Sequence, residues 1–158
     1  MSLSLLREFC AENFTDVPAA IEAGADRIEL CDNLAVGGTT PSAGVIGAAT
    51  VYAHEHGARV MTMIRPRGGD FVYGPAELQM MQSDIETACR LGTDGIVFGC
   101  LERREHGFWL DLSAIEALVA RVRWMQDQRD WSGVPREFDR EDQRIDITFH
   151  MAFDELAP

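Results

Sequence analysis

Three stretches of the chain repeat one pattern: EAGADRIELC from Glu22, EHGARVMTMI from Glu55 and RLGTDGIVFG from Arg90. In each, a helix-like run ends at a glycine (Gly24, Gly57, Gly92), and a short apolar run begins two or three residues later. The glycines stand 33 and 35 residues apart, an interval that holds a strand, a loop, a helix and a return turn. Glycine fits that place because helices commonly close on a left-handed residue, a conformation that a Cβ disfavours. Apolar or β-branched runs predict strands over 5–10, 27–31, 60–64, 95–99 and 145–149, with helices over 17–23, 42–56, 76–91 and 111–129. Leu78, Met81, Ile85, Ala88 and Leu91 follow the three-and-four spacing of one buried helix face.

Strict β, α, β, α order implies an α/β fold with a parallel sheet and right-handed crossovers. An open doubly wound sheet and a closed eight-unit barrel both satisfy it, and the near-constant repeat favours the barrel. A complete barrel takes about 200 residues or more, whereas this chain has 158. The reading is therefore a partial TIM (β/α) barrel of about five parallel βα units, forming a single domain over 1–158 that is incomplete at its C-terminus. Unpaired sheet edges in such a piece predict a homo-oligomer or completion by further chain. The charged, turn-rich segment 130–146 reads as a solvated loop insert before the fifth strand.

Composition excludes some partners. The formal net charge is −12 and all 14 basic residues are arginine, so phosphate backbones and anionic membrane surfaces are repelled and nucleic acid is not an expected partner. No apolar run approaches the roughly 18 residues of a membrane span, and the first ten residues do not resemble a signal peptide. The expected location is cytoplasmic, with Cys10, Cys31, Cys89 and Cys100 as reduced thiols.

Functional groups of parallel βα folds gather at the C-terminal ends of the strands. There the sequence places Cys10 and Glu12, then Glu29, Cys31 and Asp32, then Arg65, Arg67 and Asp70, then Cys100, and last His150 and Asp154. In RIELC, alternation sets Glu29 and Cys31 on one face and Ile28 and Leu30 on the other. An inward Glu29 needs a partner, and Arg65 of the next strand is the expected one, either as a structural ion pair or as part of a site. Arg65 and Arg67 also suit bidentate capture of a carboxylate or phosphate, with Asp70 beside them. Thr40 and Ser42, after Gly37 and Gly38, add donors for an anion or serve only as a loop and helix cap. Cys10 and Cys31 end neighbouring strands about 5 Å apart and can share a soft cation such as Cu(I), or pack as small hydrophobes. Glu29, His150 and Asp154 are the candidates to move a proton, His150 alternatively being a core histidine. Cys89 reads as core, and His54, His56 and His106 as surface.

The stretches GADRIELCDNLAVGGTTPSAG, MIRPRGGDFVYG, GTDGIVFGCL and TFHMAFD resemble, in order and spacing, the signatures of the CutC copper homeostasis proteins, from about Leu5 to Asp154. The resemblance implies a cytoplasmic TIM-like barrel that binds copper as Cu(I), with Cys10 and Cys31 at the positions of the proposed copper-binding cysteines. It leaves open whether the chain is an enzyme. Met151 stands where the family usually has arginine, and the family's usual length, about 200 to 250 residues, implies that the last three units are absent. Two further readings stand beside copper handling: a barrel enzyme acting on a small anionic metabolite, a carboxylate or phosphate, and a truncated chain whose missing units abolish any site.

Overall fold

The structure is a computed structural model and describes residues 5–129 and 144–157. The elements run β1 (Glu8–Glu12), α1 (Val17–Glu22), β2 (Arg27–Cys31), α2 (Ala43–Glu55), β3 (Arg59–Met63), α3 (Pro75–Arg90), β4 (Gly95–Phe98), β5 (Leu101–Arg104), β6 (Gly107–Leu110), α4 (Leu112–Gln128) and β7 (Asp146–Phe149). Short 3-10 turns cover Leu34–Val36 and Met151–Glu155. Five strands form one parallel sheet in the order β1-β2-β3-β4-β7, each beside the strand of the preceding βα unit. That succession is the wall of a partial (β/α) barrel, and among the described residues β1 and β7 each bond to one strand only.

Local chemistry fixes the element ends. Gly24, Gly57 and Gly92 have φ of +100°, +74° and +94°, the left-handed closure that the repeat predicts. Ser42 caps α2 by accepting from the Val45 N–H at 3.3 Å. Replacing it by alanine is expected to cost about 1 kcal/mol in urea denaturation. Asp111 caps α4 in the same way, and Pro75 opens α3 at the position where its missing N–H is harmless.

The sheet separates two cores. Ile28, Leu30, Val60, Ile96 and Phe98 pack outward against helix residues such as Ile46, Met81, Ile85, Leu118 and Val122. The opposite face carries a small cluster of Cys31, Met61, Met63 and Val97. Met61 lies across Gly95, where an added Cβ would sit 2.1 Å from its methyl carbon.

Three expectations need correction. The first strand spans Glu8–Glu12 rather than 5–10, with Leu5 and Leu6 exposed. The chain after β4 is an antiparallel hairpin, β5–β6, in a stretch where no strand was expected. Its aromatics, half-buried Phe108 and exposed Trp109, are covered by arginines, Arg103 over Phe108 at 4.5 Å and Arg104 over Trp109 at 5.0 Å. His54 is not a surface group: its Nε2 lies 2.8 Å from the buried Asp94 carboxylate, tying α2 to the start of β4. Of the expected insert 130–146, residues 130–143 lie outside the described residues, while Asp146 already begins β7.

Candidate metal centre

The parallel register sets Cys10 beside Glu29 and Glu12 beside Cys31. Alternation then turns Cys10, Glu29 and Cys31 to the inner face of the sheet, away from the helices. The Cys10 and Cys31 Sγ atoms are 3.8 Å apart, and the Cys10 thiol donates to Glu29 Oε1 at 3.7 Å. One donor atom from each of the three residues lies within 4.8 Å of the others. Cys31 is buried, Glu29 half-buried and Cys10 exposed, so the cluster has a floor and an opening.

Burial and mutual repulsion favour the uncharged forms of all three groups. Burial raises the Cys10 thiol, with the Glu29 carboxylate adding to the shift while the bond to Cys31 opposes it. Burial also pushes Cys31 well above the ordinary thiol range, helped by Cys10 and Glu29. Glu29 itself is raised, first by burial and then by the neighbouring Glu8. A bound cation would offset these penalties, because its positive charge compensates the negative charge of the deprotonated thiolates and carboxylate.

The donor set fits a soft cation. Two sulfurs 3.8 Å apart subtend roughly a tetrahedral angle at an ion about 2.3 Å from each. The Met61 and Met63 thioethers, clustered with Cys31, make the floor soft as well.

Elsewhere on the rim the expected partners are rearranged. Glu29 aligns with Met61 in the register, and Arg65 lies four residues further along, about 13 Å at strand rise. The expected Glu29–Arg65 pair is therefore not formed. Arg65 instead donates through Nη1 to the Val36 and Gly38 carbonyls at 2.7 and 2.9 Å, and through Nη2 to Gly69 O at 2.8 Å. Arg67 does not join it in a clamp: it is bonded to Glu77, to Asp70 and to the Val72 carbonyl.

Thr40 joins the same loop, its hydroxyl accepting from the Arg65 N–H at 2.9 Å, while Ser42 acts as the α2 cap. His150 is buried at the end of β7, its Nδ1 accepting from the Ala152 N–H at 3.1 Å. Asp154 is exposed on the following turn. Cys89 packs in the outer core as expected. A methyl at Gly99 would meet the His150 ring at 2.7 Å and Ala152 Cβ at 2.8 Å. Gly99→Ala is accordingly expected to cost about 1–3 kcal/mol in a denaturant melt and to displace the ring.

Fold and inner face together define a (β/α)-barrel chain with a compact Cys–Glu–Cys cluster on two adjacent strands. A sequence profile for the CutC family matches residues 5–126, and the chain belongs to that family. A CutC family protein of Enterococcus faecalis is 52% identical over 153 residues, which cover 97% of this chain and 62% of that protein. A human copper homeostasis protein cutC homolog is 38% identical over 149 residues, covering 94% of this chain and 45% of that protein. A crystal structure of CutC from Streptococcus agalactiae superposes with a TM-score of 0.77 at 45% identity, covering 98% of this chain and 62% of that one. The chain thus spans about half to three-fifths of the length of these relatives.

Proposed function

We propose that the chain serves copper homeostasis by holding Cu(I) between the Cys10 and Cys31 thiolates, with Glu29 at the third corner. The observation that carries this is the approach of the two sulfurs to 3.8 Å across β1 and β2, joined to relatives named for copper homeostasis. Thiolates favour Cu(I) and zinc over hard cations, and the Glu29 carboxylate, which accepts from the Cys10 thiol, stands ready to take that one proton. Free thiols at this spacing persist in reducing surroundings, so the site works in the cytoplasm.

The test is an anaerobic competition titration of the reduced chain against a Cu(I) chelator, repeated with Zn(II). One Cu(I) per chain, bound more tightly than Zn(II), is the expected result. Several weak equivalents, or preference for Zn(II), would contradict it.

A further inference from the structure

Cys31 has a sulfur-bearing neighbour on each side, Cys10 on β1 and Met63 on β3. The β2–β3 register pairs Glu29 with Met61 and Leu30 with Thr62, so its next step sets Cys31 beside Met63, which in turn pairs with Val97 of β4. Cys31, Met61, Met63 and Val97 pack as one buried cluster on the inner face. The two methionines point differently. Met61 lies across β4, its Sδ and Cε 2.3 and 2.1 Å from the place that a Cβ on Gly95 would take. Met63 ends beside the Cys31 thiol: a Cβ on Gly38 would lie 3.2 Å from Cys31 Sγ and 3.7 Å from Met63 Cε. The thiol and the tip of the Met63 side chain therefore meet at one spot.

Gly38 passes over that spot with a φ of +87°, where a side chain is disfavoured, and a side chain there would crowd the thiol. No side chain of the cluster carries oxygen or nitrogen, so its side-chain lone pairs are all on sulfur. A thioether is a soft, neutral donor. It can add to the hold on Cu(I) without adding negative charge to a half-buried site that already has two thiols and a carboxylate. Zn(II) is held by thiolate, imidazole and carboxylate, and a thioether helps it little. The unbranched methionine side chain also lets Sδ turn toward an ion without moving its strand.

We propose that Met63 supplies its thioether as a third sulfur donor to Cu(I), weaker and longer than the two thiolate bonds, and that this contact favours Cu(I) over Zn(II) at the Cys10–Cys31 site. The inference rests on the copper reading above and adds the residue that sets its metal preference.

Cu(I) and Zn(II) affinities of the reduced native chain and of Met63→Leu are measured by chelator competition without oxygen. Leucine is apolar and close to methionine in volume, so the fold should persist. The expected result is about 10-fold weaker Cu(I) binding with Zn(II) binding changed by less than about 2-fold. Copper-edge X-ray absorption on the Cu(I) complex of the selenomethionine-substituted native chain reads the same contact with no change of sequence. A selenium scatterer beyond the two sulfur bonds, lost in Met63→Leu, is expected. Equal weakening of both metals would make Met63 a packing residue and overturn the proposal. An unchanged Cu(I) affinity, no selenium near copper, or a selenium signal that survives Met63→Leu also overturns it. Tight Cu(I) binding without selenium sinks this inference alone, whereas a native chain that holds no Cu(I) sinks the copper reading with it.

Discussion

Replacing Cys10 and Cys31 together by serine is expected to lower Cu(I) affinity by more than about 100-fold in anaerobic chelator competition. Losing a mere outer-shell partner of a metal ligand costs about 10- to 100-fold, and here both soft donors are exchanged for hard hydroxyls. Folding should survive, because Cys10 is exposed and serine, close in size to cysteine, leaves little void at the buried Cys31. In the native chain the affinity should also rise with pH. Both thiols are raised above the ordinary range, so they are protonated near neutrality and each must give up its proton to bind the ion. Binding that releases protons strengthens as their concentration falls, by about 10-fold per pH unit for each proton lost to solvent. The expected slope is thus about 10- to 100-fold per unit between pH 6 and 8, the lower value if Glu29 keeps one proton.

Phe98→Ala is expected to cost about 3–5 kcal/mol in guanidinium denaturation, the largest single loss of stability among these predictions. Phe98 is 1% exposed on the outer face of β4, packed into the core between sheet and helices. β4 is bonded on both sides, to β3 and β7, so the void opens at the middle of the sheet. Surrounding groups there have little freedom to collapse. A loss below about 1 kcal/mol would mean that the helices do not close on this sheet as described.

The barrel wall was legible because its signals are local. A glycine closing each of α1, α2 and α3 and an apolar run after it fix the order and type of the elements, and strand alternation then places Cys10 and Cys31 on one face. What escaped depended on distances along strands or on side chains that disguise their element. Leu5 and Leu6 look like strand residues, but the edge pairing with β2 begins at Glu8. LERREHGFWL has too many charges to look like a hairpin, yet its arginines sit over their own aromatic partners. Glu29 on β2 and Arg65 just beyond β3 carry opposite charges, but the register separates them by two inward-facing layers.

X-ray absorption on the anaerobic one-to-one Cu(I) complex tests the account at its centre. Two sulfur scatterers at bonding distance, replaced by oxygen or nitrogen in the Cys10→Ser, Cys31→Ser chain, is the predicted spectrum. A copper environment built from nitrogen alone, or one unchanged by removing both thiols, would contradict it.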